Sequence, residues 1–95
     1  MKKNTVIVKR RGHKEKFDER KIYGSVYAAC ISAHYNEGQC EKVAEEITKK
    51  VKKILWGKKE IKSVEIRMKI ISELKKKNKE LAFFYELNLP DLKRL

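Results

Sequence analysis

The chain has 95 residues, the length of one domain, and 41% of them are hydrophobic, which is enough to build a packed core without disulfides or metals. Twenty-five Lys and Arg against thirteen Asp and Glu give a formal net charge of +12, which attracts nucleic acid, acidic membrane surfaces or small phosphorylated ligands. No apolar run approaches the ~18 residues of a membrane span, and no apolar stretch after Lys2 and Lys3 suits a signal peptide, so we expect a cytoplasmic protein with no membrane partner.

The N-terminal segment predicts a β-hairpin. Residues 5–9 read as a strand because three β-branched aliphatic residues stand between polar and basic ones. Gly12 marks a turn, and residues 14–17 can return as a second, short strand. A hairpin alone is marginally stable, so a helix is expected to cover one of its faces.

Helical spacing dominates the rest of the chain. Asp18 predicts the N-cap of a first helix, residues 34–38 a loop, and residues 40–55 a second, amphipathic helix that ends at Gly57. Ser63 predicts the cap of a third helix, residues 75–79 a polar break, and residues 81–87 a short fourth helix that stops before Pro90. The sequence therefore predicts one α+β domain over residues 1–95, with an N-terminal β-hairpin packed on a bundle of about four helices.

The sequence offers little for catalysis or metal binding. His13 and His34 fall in separate predicted loops, and there is no nucleophile–base pair, P-loop or acidic cluster suited to two metals. Cys30 and Cys40 stand ten positions apart without a His at ligand spacing, which argues against zinc. We expect both cysteines to be reduced, with one or both buried, and the protein not to be an enzyme.

The first twenty-two residues suggest a phosphate site. Lys9 and Arg10 leave a strand at a glycine turn, and Lys21 lies in the first turn of the next helix, whose backbone N–H groups favour an anion. Glu15 and Asp18 would repel phosphate but can accept hydrogen bonds from ribose hydroxyls or an exocyclic amine. On spacing alone, the cations could equally be solvated surface charges, and Asp18 only a helix cap.

The same segment resembles the opening of a known domain. Residues 6–12, Val-Ile-Val-Lys-Arg-Arg-Gly, followed by residues 15–22, Glu-Lys-Phe-Asp-Glu-Arg-Lys-Ile, are similar to the signature of the ATP-cone domain. That domain is the allosteric nucleotide-binding module at the front of many ribonucleotide reductases and also occurs in the bacterial repressor of the reductase genes. The resemblance covers about residues 5–88, with weaker likeness after the opening signature.

The resemblance implies a ligand and its contacts. ATP or dATP would lie between the hairpin and the helices, and Mg²⁺ is compatible with the triphosphate. Glu15 and Asp18 would lie near the sugar or base, while Val8 and Ile22 would form an apolar wall for adenine. The phosphate side would be formed by Lys9, Arg10, Lys21, Ser63 and Arg67. The chain departs from the family at Arg11, where Asp is common, at Arg67, where several reductases carry His, and in its C-terminal residues.

Three functions follow as alternatives. The first is an allosteric sensor of ATP or dATP that acts through a separate protein, such as a ribonucleotide reductase or a transcription regulator, or through self-association as a homo-oligomer. The second is a basic nucleic-acid-binding protein that uses lysine clusters at residues 49–53, 58–62 and 75–79. The third is a degenerate cone that only mediates protein contacts. The aromatic residues could supply a self-association face or complete the core: Trp56, Phe83, Phe84 and Tyr85.

Overall fold

The computed structural model describes residues 6–8 and 12–88. Over these residues the fold consists of three short strands and four helices, and the α+β class predicted from the sequence is confirmed. In chain order the elements are β1 (Val6–Val8), β2 (Lys14–Lys16), α1 (Glu19–Ser32), α2 (Glu37–Leu55), β3 (Glu60–Lys62), α3 (Ser63–Lys77) and α4 (Lys79–Leu87).

The strands form one sheet in the order β2-β1-β3. The predicted hairpin is present as the antiparallel pair β1–β2, in which Val8 lies opposite Lys14, and Gly12 in its turn adopts φ +78°. The third strand was not predicted. It pairs with β1 in parallel, with Val8 beside Lys62, and thereby ties the N-terminal hairpin to the middle of the chain.

Local hydrogen bonds explain where the first two helices begin. Asp18 caps α1 as predicted, because its carboxylate accepts a hydrogen bond from the Arg20 backbone N–H at 3.0 Å. The second helix starts at Glu37, inside the predicted loop, because Asn36 and Gln39 form a reciprocal capping box. It ends at Leu55, just before Gly57 with φ +83°, as the sequence indicated.

The prediction that Ser63 caps the third helix is wrong. Lys62 occupies the N-cap position without a side-chain hydrogen bond, and Ser63 is the first helical residue, because the chain runs directly from β3 into α3. The polar break predicted over residues 75–79 is narrower, since α3 continues to Lys77. Asn78 alone separates α3 from α4, and its side chain caps α4 by accepting from the Glu80 N–H at 2.7 Å.

The apolar stripes of the helices meet in one core beneath the sheet. Its fully buried large side chains lie on all four helices and include Val26, Ile47, Ile70 and Leu81. Burying each of them stabilises the fold by roughly 1.5–3 kcal/mol. Both cysteines are free thiols and both are buried, as expected, and burial raises the pKa of the Cys30 thiol to about 12. Among residues 6–8 and 12–88, no helix is long and apolar enough to cross a membrane.

Candidate functional site

The candidate site is built where β1 and β3 end. Because the two strands are parallel, their carboxyl ends lie at the same edge of the sheet, with Val8 beside Lys62. Ser63 follows immediately as the first residue of α3, so the N-terminus of that helix lies next to the end of β1. The Lys62 side chain makes no capping hydrogen bond there. The first backbone N–H groups of α3 and its dipole thus favour an anion at this edge.

The structure brings two of the predicted site residues together at the start of α1. Lys21 lies in the first turn of that helix, and its Nζ approaches Glu15 Oε1 on β2 at 3.5 Å. Both side chains are partly exposed, so this pair contributes little to stability. Lys9 and Arg10 lie outside the described residues, and their phosphate-binding roles stay predictions.

Asp18 acts as a helix cap. Besides the backbone bond, its carboxylate accepts hydrogen bonds from Arg20 Nε at 3.2 Å and from Arg20 Nη2 at 3.3 Å. These bonds, led by the side-chain hydrogen bond with Arg20, hold the pKa of the Asp18 carboxyl below its ordinary value. A contact of Asp18 with sugar or base, implied by the family resemblance, stays a prediction.

A buried tyrosine lies near both helices, α1 and α3, that carry predicted site residues. Tyr85 on α4 is 3% exposed, and burial raises the pKa of its hydroxyl to about 12. The positive charge of Arg67 on α3 and then the side chain of Ser25 on α1 act in the opposite direction and lower that pKa, so both residues lie near the hydroxyl. The α1 and α3 faces that carry the predicted residues therefore converge on one buried hydroxyl.

Ile22 and Ser63 each lie one helical turn from a residue beside Tyr85. Ile22 precedes Ser25 by three positions, packs half-buried against the core, and accepts the Ser25 hydroxyl on its backbone carbonyl at 3.1 Å. Ser63 precedes Arg67 by four positions, and both are partly buried. Residues three or four apart lie on the same side of a helix, so Ile22 lies on the face of α1 that carries Ser25, and Ser63 lies on the face of α3 that carries Arg67.

Sequence reasoning missed Ser25 and the position of Tyr85 in this arrangement. Tyr85 was assigned either to the core or to a self-association face, and the structure places it in the core. No local pattern could have paired it with Ser25, which lies sixty positions earlier in the chain. Among the described residues, no group of three His, Cys, Asp or Glu side chains could hold a metal ion.

Comparisons with known proteins identify the family of the domain. The family model described as the ATP cone domain matches residues 5–87, and so covers the sheet and all four helices. The transcriptional repressor NrdR of Carboxydothermus hydrogenoformans is 37% identical over 71 residues, which represent 75% of this chain and 45% of that protein. The chain thus spans less than half the length of that relative. Since the family match takes in every element of the fold, the chain belongs to the ATP cone domain family.

Proposed function

We propose that this protein is a regulatory domain that binds ATP or dATP at the edge of the sheet where β1 and β3 end, and that it is not an enzyme. One observation carries the proposal. In a chain of the ATP cone domain family, the parallel register of β1 and β3 sets the end of β1 beside the uncapped N-terminus of α3. A helix N-terminus in that setting is well suited to phosphate.

The phosphates would lie across the start of α3. The first backbone N–H groups of that helix and the Ser63 hydroxyl can donate to phosphate oxygens, and Arg67 follows one turn later on the same face. Lys21 would contribute from α1, since its 3.5 Å contact with Glu15 is long and exposed and can be exchanged for a phosphate. Lys9 and Arg10, the next residues after Val8, would complete the phosphate side.

The nucleoside would be held by apolar side chains and carboxylates rather than by cations. Val8 and Ile22 are both half-buried and would provide the apolar wall for adenine. A carboxylate accepts hydrogen bonds but donates none, so Glu15 would favour the exocyclic amine of adenine or the ribose hydroxyls. Asp18 would also accept a hydrogen bond from the nucleoside, while its carboxylate continues to cap α1. Mg²⁺ is compatible with the triphosphate, which would have to supply most of its ligands.

Regulation would follow from the position of Tyr85. A nucleotide that draws Ser63 and Arg67 toward α1 would act on α1 and α3, the two helices beside Tyr85. Tyr85 belongs to α4, and α4 also presents Phe83 to solvent at 55% exposure. Binding would thus change the surface offered to another protein or to a second copy of the chain. The relative named as a transcriptional repressor suggests a transcription regulator as the partner. The family resemblance implies a ribonucleotide reductase as the alternative partner.

Calorimetric titration at ~0.15 M salt tests the site. We expect ATP and dATP to bind more tightly than inorganic triphosphate, which has no base to pack on Val8 and Ile22, and more tightly than GTP, as membership of the ATP cone domain family implies. Lys21→Ala and Arg67→Ala should each lower ATP affinity at least tenfold, about 1.4 kcal/mol of binding free energy. Lys75→Ala is the matched control, since Lys75 is exposed on α3 beyond Arg67 and should leave the affinity unchanged.

Two outcomes would overturn the proposal. Equal affinity for GTP, triphosphate and ATP, with a steep loss at high salt, would indicate a surface that attracts any polyanion. Full ATP affinity in a variant that combines Lys9→Ala and Lys21→Ala would show that the site lies elsewhere. Analytical ultracentrifugation with and without ATP then distinguishes self-association from action through a separate protein.

A further inference from the structure

The outer face of α2 and the neighbouring side of α3 form a basic surface, which we call the α2–α3 lysine surface. It contains seven lysines and two carboxylates: Lys42, Lys49, Lys50, Lys53, Lys69, Lys76, Lys77, Glu46 and Glu73. Its residues are distinct from every member of the candidate nucleotide site.

Two carboxylates gather the inner lysines between the helices. Glu73 on α3 is only 5% exposed, and it pairs with Lys50 on α2 at 3.0 Å and with Lys69 and Lys76 on α3 at 3.1 and 3.4 Å. Glu46 on α2 pairs with Lys77 at 2.6 Å. These contacts fix four ammonium groups around two negative charges, so the cluster keeps an excess of positive charge.

The outer lysines continue this excess along α2. Lys42, Lys49 and Lys53 are separated by seven and four positions, the spacing of one helical face, and all three are exposed. None of them pairs with a carboxylate in the part of the chain that the structure describes. The three side chains span about 16 Å along the helix axis at 1.5 Å per residue.

Three other acidic residues of α2 lie on a different side of the helix. Glu37, Glu41 and Glu45 follow one another at four-residue spacing. After burial, which is the larger cause, the charge of Glu41 contributes to raising the pKa of Tyr23 and Tyr27, which places this stripe on the side facing α1. Apart from Glu46 and Lys52, the charges of α2 are therefore segregated, and the lysine surface contains no part of this acidic stripe.

We propose that the α2–α3 lysine surface binds the sugar–phosphate backbone of double-stranded DNA without reading its sequence. A 16 Å row of cations spans the rise of about five nucleotides of one strand. Lysine ammonium groups act as point charges on phosphates, whereas bidentate readout of guanine favours arginine, which this surface lacks. A bilayer is a poorer partner, because the apolar side of α2 is buried in the core and cannot insert.

Fluorescence anisotropy of a labelled duplex of about 20 base pairs, titrated between 0.05 and 0.2 M salt, tests the proposal. The triple variant Lys42→Gln, Lys49→Gln, Lys53→Gln should bind at least tenfold more weakly at the lower salt. The slope of log affinity against log salt should become shallower by roughly 2.7, about 0.9 for each lost phosphate contact. Calorimetric ATP affinity should be unchanged, because none of the three residues belongs to the nucleotide site.

The matched control removes the same charge elsewhere. Lys16→Gln, Lys75→Gln, Lys79→Gln changes three exposed lysines on β2, α3 and α4, and should alter DNA affinity less than threefold. Equal losses in the two triple variants would overturn the proposal and leave only the attraction of net charge. Binding to anionic vesicles but not to the duplex would overturn it in favour of a membrane. Circular dichroism verifies folding, and the single Lys49→Glu variant replaces the triple if that variant does not fold.

Discussion

At the scale of single residues, Glu73 is the most constrained charge that the structure describes. Its carboxylate is almost completely buried, which by itself would raise its pKa. The hydrogen bonds from Lys50, and then from Lys69, outweigh burial and lower the pKa of Glu73 from 4.5 to about 2. A group whose pKa is lower in the folded state stabilises that state above its unfolded pKa and loses this effect as the pH falls through its folded pKa.

Glu73→Gln should therefore destabilise the domain in a pH-dependent way. Near pH 7 we expect the free energy of unfolding to fall by about 1–3 kcal/mol, because the amide cannot replace three charged hydrogen bonds. The difference from the unmodified protein should shrink between pH 4.5 and pH 2, as the wild-type carboxylate is protonated. Urea unfolding at a series of pH values measures both effects.

The control for this prediction is Glu41→Gln. Glu41 is an exposed acid on the same helix as Lys50, and its replacement should change stability by less than about 0.5 kcal/mol. A Glu73→Gln protein as stable as the wild type at pH 7 would show that the ion pairs contribute nothing net.

At the scale of elements, the sequence predicts the turns, caps and helix ends that depend on neighbouring residues. The hairpin turn at Gly12, the cap at Asp18 and the end of α2 at Gly57 each depend on neighbouring residues, and each is confirmed. Strand β3 could not be predicted, because its three residues contain one apolar side chain, Ile61. It is a strand only because β1, more than fifty positions away, supplies its hydrogen-bond partners.

The contacts of the candidate site also fall into two groups, those between residues close in the chain and those that depend on tertiary pairing. The approach of Lys21 to Glu15 could be anticipated, since a hairpin that leads into a helix keeps these residues close. The approach of α3 to the end of β1, and of Tyr85 to Ser25, depends on tertiary pairing that no short segment specifies. The family resemblance supplied Ser63 and Arg67 as site residues, where spacing alone did not.

Ile61→Ala tests the contribution of β3 to the site. Ile61 is 4% exposed and lies beside Ile7 in the parallel register, so its truncation should lower the free energy of unfolding by about 2–4 kcal/mol. ATP affinity should also fall at least fivefold, because β3 aligns the N-terminus of α3 with β1. Calorimetry on the folded protein, with urea unfolding in parallel, separates the two effects.

Ile54→Ala serves as the comparison, since Ile54 packs half-buried against the core on α2 and does not belong to the sheet. It should lower stability while leaving ATP affinity near the wild-type value. If both variants bind ATP equally well, β3 has no special part in forming the site.

At the scale of the whole molecule, the sheet joins the N-terminal hairpin to the middle of the chain. The helices α1 and α2 are consecutive in the chain, as are α3 and α4, whereas the pairing of Val6 with Glu60 spans more than half of the chain. Contacts between distant residues cost more loop entropy than local ones and tend to form later in folding. We infer that the β1–β3 junction opens at lower free energy than the helices.

Limited proteolysis should detect this opening. Cleavage near the sheet is expected to precede cleavage within α2, and ATP at a hundredfold excess over its dissociation constant should slow it by up to about a hundredfold, or about 2.7 kcal/mol. GTP at the same concentration is the control and should protect less. Equal protection by both nucleotides, or cleavage that begins in α2, would contradict this order of opening.

The parallel seam between β1 and β3 thus has a metabolic consequence. A nucleotide bound where β1 pairs with β3 would keep closed the part of the molecule that proteases cleave first. If the domain senses adenylate supply, as we propose, the abundance of the protein would then rise and fall with that supply, so that starvation would both empty the domain and hasten its removal.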